Sequence, residues 1–263
     1  MSTTVTTPEN SVPALVRHTM LQAGRLLTRW RRDPMTVLQS LAYPVLLLLM
    51  LEAVLGRQVS AFAGQDALYG TVPMVVVMSA LLGSLAGAVT LGRECEAGLP
   101  ARLWVLPVHR ASALASRFVA EAVRITVTTV VVVAAGVVLG FRFHRGPLAA
   151  IGFLAVPVLF GLAFAALVTA AAFMAAKTVV IEAISLLCTL MLFFNPGFVP
   201  IGAYPDVLAP VIRNQPMTSA VETMQALALG GAVQGPLVRT VAWSVALVAV
   251  CAVPVIRGYR RAL

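Results

Sequence analysis

The sequence predicts an all-α integral membrane protein with six transmembrane helices. An N-terminal amphipathic interfacial helix precedes them, and re-entrant outer helices precede the last span. Three observations carry this. The 263 residues are 60% hydrophobic and only 11% charged, against about 25% charged in an ordinary soluble domain. Apolar runs recur at lengths near the roughly 20 residues that cross about 30 Å of hydrocarbon. The basic residues, eighteen arginines and one lysine within a net charge of +9, fall unevenly between alternate loops, as they do in polytopic membrane proteins.

The elements follow in order. Residues 1–34 form a tail and an interfacial helix, and 35–263 the membrane domain. The first 30 residues carry no apolar run of the kind a cleavable signal peptide needs. From Val12 to Arg32, Leu15 or Val16, Met20, Ala23, Leu27 and Trp30 share one helical side. Arg17, Arg25, Arg29 and Arg32 occupy others, as in a helix lying among headgroups. Asp33-Pro34 ends it and starts the first span.

The spans are read as Met35–Leu55, Tyr69–Gly92, Phe118–Gly140, Leu148–Ala176, Thr178 to about Phe198, and Thr240–Ile256, the last the shortest. The β-branched run Thr126–Val133 would suit a strand in water. Lipid demands closed backbone hydrogen bonding, so it is read as helix. Gly83-x-x-x-Gly87 and Gly136-x-x-x-Gly140 permit close helix approach.

Placing the N-terminus in the cytoplasm puts thirteen basic residues on that side: Arg17, Arg25, Arg29, Arg31, Arg32, Arg93, Arg102, Arg110, Arg117, Lys177, Arg257, Arg260 and Arg261. The outer side keeps five: Arg57, Arg142, Arg145, Arg213 and Arg239. Both termini are therefore expected to be cytoplasmic in a multi-pass protein of the cell membrane. The basic balance is then a topological signal, with no nucleic-acid partner expected.

Residues 195–236 hold six of the sixteen prolines and five glycines, yet few charges. Such a stretch is too apolar for a solvated loop and too broken for a span. It is read as short helices dipping into the outer leaflet, one running from Pro216 to about Leu229 and stopped by Gly230-Gly231. Pro196, Pro200, Pro205, Pro216, Met224 and Leu227 are the candidate outer gate.

Charges within spans are costly and need partners. Glu121 and Arg124 are three apart on one helical face and can pair. Lys177 and Glu182 bracket an inner boundary, and Glu52 is expected to pair with Arg57. No phosphate-cradling G-x-x-x-x-G-K-[ST] occurs, and Lys177-Thr178 lacks the glycines before it. No HExxH occurs, and His18, His109 and His144 fall outside the spans. Cys95, Cys188 and Cys251 have no metal-like spacing. No cofactor, metal or catalytic group of its own is expected, so the chain is not an enzyme by itself.

The charge-dense stretch 93–117 between spans two and three carries Arg93, Glu94, Gly98, Arg102, Leu103, Trp104, Pro107 and Arg110. Arg93-Glu94, Gly98, Arg102-Leu103 and Pro107 resemble the R-E-x-G-x-x-x-x-L-x-x-x-P loop of ABC-2-type exporter permeases, with a longer gap between Glu94 and Gly98. More narrowly, the runs ARLWVLPVHRASAL, GVVLGFRFHRG and RNQPMTSAVETMQAL are similar to the daunorubicin-resistance permeases of actinobacteria. The chain also resembles the second permease of a mycobacterial three-component lipid and drug exporter.

The resemblance implies the six-span ABC-2 fold for 35–263. It also implies an ABC ATPase subunit in two copies, which binds ATP and Mg, and a second ABC-2 permease, a paralogue. The loop 93–117 and the interfacial helix, with Arg25, Arg29, Trp30 and Arg32, would seat against that ATPase. The exported substrate would be hydrophobic: a complex cell-envelope lipid such as phthiocerol dimycocerosate, or an anthracycline-like drug. The other readings are a secondary carrier, for which matched internal repeats would be expected, and a non-transporting membrane scaffold.

Overall fold

A computed structural model describes residues 11–64, 66–96, 109, 111–174, 178–197 and 201–261. Helices are the only extended elements among them. α1 (Val12–Arg32) is capped by Ser11, whose hydroxyl accepts from the Ala14 amide at 3.3 Å. It ends at Asp33, which adopts an extended conformation and caps α2 (Pro34–Ala63) in turn. Oδ1 of Asp33 accepts from the amides of Met35 and Thr36, both at 3.2 Å, and Oδ2 from the Thr36 hydroxyl at 2.6 Å. Those bonds, the hydroxyl's first, hold the Asp33 carboxyl below its usual range. The break after α1 is therefore an N-cap with proline in the first turn.

α3 (Leu68–Glu96), α4 (Ser112–Leu139) and α5 (Pro147–Met174) follow. α3 stands at the centre, touching α2, α4 and α5 and the helices beyond them, and Val72 and Met74–Val77 are wholly buried. Its apolar residues surround it on every side, which is what an uncharged run without a polar face requires. α2 lies at the edge, with Leu38, Leu46, Met50 and Val54 all exposed. α4 begins six residues before the expected Phe118, so Arg117 is a helical residue.

α6 (Thr178–Phe193) has 16 residues, about 24 Å of helix. α7 (Ala209–Asn214), α8 (Pro216–Leu229) and α9 (Gln234–Arg261) complete the chain, with a 3-10 turn at Ile201–Ala203. Five helices (α2, α3, α4, α5 and α9) are long and apolar enough to cross a membrane; α6 is shorter than that. The last helix is 28 residues long, and its apolar stretch Gln234–Val255, at 22 residues, is the shortest of the five candidate spans, starting earlier than the expected Thr240. It can start at Gln234 because the charge of Arg239 is neutralised by Glu222 at 2.6 Å, while Arg239 also donates to the Arg213 carbonyl.

α6 stops at Asn195-Pro196-Gly197 for local reasons. The Asn195 carboxamide oxygen accepts from the Gly197 amide at 2.9 Å, closing an Asx turn. The residue before a proline is also steered out of the helical region. The Gly197 carbonyl then lies so close to α3 that a Cβ on Gly70 would be 2.5 Å from it. Gly70→Ala should therefore destabilise the folded protein by about 2 kcal/mol, read as a lower unfolding temperature in detergent. An unchanged temperature would mean that this contact is not fixed.

α8 is the least solvated of the short helices. Met217, Ala220, Val221, Met224 and Ala228 are wholly buried, against α3, α5 and α9. It runs antiparallel to α9, with the Thr223 and Thr240 hydroxyls 3.1 Å apart. Gly230 stops it in the left-handed region (φ +98°), and the Ala228 carbonyl accepts from the His144 amide between α4 and α5. The starts of α3, α5 and α9 thus share one end of the bundle. The ends of α1, α3 and α9 share the other with the start of α4, where Cys251 and Val255 pack on Leu114 and Phe118.

Candidate functional site

α1 packs along the first turns of α4 through Ala14, Thr19 and Ala23. The expected apolar stripe is only partly the packing face, since Val16 and Met20 are exposed. Small residues are buried because they let α1 approach α4 closely. Gln22 donates to the Ser112 hydroxyl at 2.9 Å, and the His109 amide donates to Nδ1 of His18 at 3.0 Å. α1 is thereby tied to the chain that enters α4.

A further tie is electrostatic. Glu94, at the end of α3, bridges Arg29 of α1 at 3.0 Å and Arg117 of α4. Its side chain is 13% exposed, so both charge-assisted bonds are shielded on the carboxylate side. One carboxylate therefore joins three helices. Trp30 donates to the Ser40 hydroxyl at 3.3 Å and fixes α1 to α2. Arg25 and Arg32 are exposed on α1, beside Arg29, in a cleft shared with Thr28 and Asp33. Arg93 is exposed. Gly98, Arg102, Leu103, Trp104, Pro107 and Arg110 lie outside the described residues.

Above this clamp lies a cavity of about 600 Å³, within the range of small-molecule sites. α1 to α5 all contribute to its wall. Leu26, Leu27, Trp30, Tyr43, Pro44, Leu82, Phe118 and Ile125 give it an apolar surround. Its polar groups are Ser79, Ser84, Thr128, Thr169, the pair Glu121 and Arg124, and at the clamp end Arg29, Glu94, Arg117 and Asp33.

The Glu121–Arg124 pair forms as its spacing predicts, Nη2 lying 3.3 Å from Oε2. Glu121 is buried, and the Ser84 hydroxyl donates to its Oε1 at 2.9 Å. The pair occupies the space that Gly83 and Gly87 leave open on α3. A Cβ at Gly83 would be 2.8 Å from Nη2 of Arg124, and one at Gly87 would be 3.8 Å from Oε2 of Glu121. These glycines were read as seats for helix backbones, and they seat an ion pair. In the other motif Gly136 packs tightly against Val72, while Gly140 makes an ordinary contact with Leu68 and is a helix stop at φ +121°.

The remaining expected residues divide. Glu52 makes no ion pair with Arg57 among the described residues. Its carboxylate lies over Gly56, where a Cβ would meet Oε1 at 2.6 Å, and Arg57 is exposed. Glu182 is exposed, and Lys177 lies outside the described residues. Of the proposed outer gate, Met224 is in the main core, Leu227 is packed beside Gly152, and Pro216 opens α8. Pro196 belongs to the turn after α6, Pro205 is exposed, and Pro200 lies outside the described residues. Met224 and Leu227 thus share the main core cluster. The cavity itself was missed from sequence, since Tyr43, Ser79 and Thr128 carry no shared motif. Among the described residues no group of His, Cys, Asp or Glu could hold a metal ion.

Residues 19–229 match the family model described as ABC-2 type transporter. The chain is 43% identical over 254 residues to the probable doxorubicin resistance ABC transporter permease protein DrrC of Mycobacterium tuberculosis, covering 97% of this chain and 92% of that protein. It is 24% identical over 248 residues to the daunorubicin resistance ABC transporter permease protein DrrB1 of Streptomyces coeruleorubidus, covering 93% and 87%. With residues 19–229 matching that model and 43% identity across nearly its whole length to one such permease, the chain belongs to the ABC-2 type transporter permeases.

Proposed function

We propose that this chain is the permease subunit of an ATP-driven exporter, working with an ABC ATPase in two copies and with a paralogous second permease. Its substrate is a hydrophobic or amphipathic molecule, a drug of the anthracycline kind or a complex envelope lipid, taken from the cytoplasmic leaflet. The observation that carries this reading is the cavity beside the Glu94 clamp. A path for the substrate and a junction for the loop after α3 lie within one end of the bundle. The absence of any phosphate-binding motif in the sequence leaves the energy to a partner. Co-purification with an ATPase whose hydrolysis rises on adding substrate supports the reading. A chain that purifies alone and moves substrate down an ion gradient refutes it.

α6 and α8 together serve as the sixth crossing in this reading, because α6 by itself is short and α8 supplies buried helix at the far end. The same reading puts the clamp end and both termini in the cytoplasm, following the arginine bias. In a cysteine-free background, an impermeant thiol reagent should label a cysteine placed at Ala61 in intact cells. A cysteine at Ala111 should react only after lysis, and its labelling in intact cells would reverse the orientation.

A further inference from the structure

We propose that His18 and His109 are positioning residues that hold the entry to α4 against α1 only while both rings are neutral. Acid on that side of the membrane then loosens the end of the loop 93–117 and uncouples it. This rests on the reading of that loop as the junction with an ATPase.

Backbone N–H groups can only donate, which fixes the role of whatever accepts them. Ala111 is the N-cap of α4 and has no side chain able to cap it. Its amide donates instead to Nδ1 of His109 at 3.2 Å, the place an Asn oxygen takes in an Asx turn. The His109 carbonyl accepts from the Ser112 amide at 2.9 Å and from its hydroxyl at 2.6 Å. The His109 amide in turn donates to Nδ1 of His18 on α1 at 3.0 Å. One imidazole thus shapes the entry to α4, and the other fastens that entry to α1.

Both contacts use the lone pair on Nδ1, so each ring carries its proton on Nε2. An imidazolium has a hydrogen on both nitrogens and accepts at neither, so no rotation of the ring restores the bond. The sign follows directly. The tie is made at neutral and higher pH and is lost as pH falls through the range in which histidine ordinarily takes up a proton, about pH 6.5. The charged and titratable groups on the elements packed here are Arg17 and Arg25 of α1, Glu94 of α3, Arg117 of α4 and Cys251 of α9. Glu94 is engaged by Arg29 and Arg117, and neither imidazole is paired with a carboxylate among the described residues. Of the bonds between α1 and this entry, the one from Gln22 to the Ser112 hydroxyl at 2.9 Å is insensitive to protons. Acid should therefore loosen the entry without releasing α1.

The full-length chain, cysteine-free apart from Met20→Cys and Ala111→Cys, would be spin-labelled in phosphatidylcholine nanodiscs and the interlabel distance read by pulsed electron resonance. Both positions are exposed, one on α1 and one at the start of α4. The distance should be single and narrow at about pH 7.5 and its distribution at least twofold broader at about pH 5.5. His18→Asn/His109→Asn supplies amide oxygens that accept at either pH, so it should stay narrow at both. His18→Leu should be broad at both. In inside-out vesicles with the ATPase and second permease, doxorubicin stimulation of ATP hydrolysis should fall at least threefold between the same pH values. In His18→Asn/His109→Asn it should not fall. Equal broadening of the wild type and the double variant, or none in either, overturns the proposal while the junction reading stands. If the distance responds to pH as expected but the stimulation does not, the junction reading falls instead.

Discussion

Arg124→Ala is expected to be the most damaging single substitution in the bundle. It leaves Glu121 buried with the Ser84 hydroxyl as its remaining partner. Removing one partner of a buried pair costs about 3–5 kcal/mol, a large fraction of the stability of a marginally stable fold. The variant should reach the membrane poorly and aggregate at a lower temperature in detergent. Glu121→Gln/Arg124→Gln should recover most of that loss, because two neutral amides can bond to each other in the space left by Gly83 and Gly87. Fluorescence-detected size exclusion of the two variants checks this. If the double variant is as unstable as Arg124→Ala, packing and not charge is what the pair supplies.

Glu94→Ala should behave in the opposite way, with small structural cost and large functional cost. Arg29 is 69% exposed and keeps its water when the carboxylate goes, so its pair contributes about 1 kcal/mol or less, and Arg117, 25% exposed, still reaches water and is not left as a fully buried charge. Export should nevertheless fall at least tenfold, since the clamp joins α1, α3 and α4 across the loop proposed to meet the ATPase. ATP hydrolysis should persist but no longer respond to substrate. Wild-type export and wild-type stimulation together would remove Glu94 from any coupling role.

The parts of this architecture that depend on nearby residues were legible in the sequence. Asp33-Pro34, Pro216 and Gly230 mark helix ends because capping and backbone conformation are local. The Glu121–Arg124 pair was legible because three residues bring side chains to one helical face. The Glu94 clamp was not, because Arg29 lies 65 positions away and Arg117 lies 23 away. The purpose of Gly83 and Gly87 was equally hidden, since a glycine spacing does not say whether a backbone or an ion pair fills the gap. Glu52 shows the same limit from the other side: its carboxylate turned back on Gly56 while the nearby Arg57 stayed exposed.

The most direct test of the cavity as the path of an ATP-driven exporter is doxorubicin accumulation in inside-out vesicles carrying the chain with its ATPase and second permease. Gly87→Leu provides the comparison. A Cβ at Gly87 meets only ordinary contacts, the nearest at 3.8 Å, so the helix can accept it, while the rest of a leucine side chain projects into the cavity beside the Glu121–Arg124 pair. The wild type should accumulate the drug only with ATP, and Gly87→Leu should stay at background while still assembling and hydrolysing ATP. Accumulation at the wild-type rate by Gly87→Leu, or accumulation by the wild type without ATP, would contradict the account.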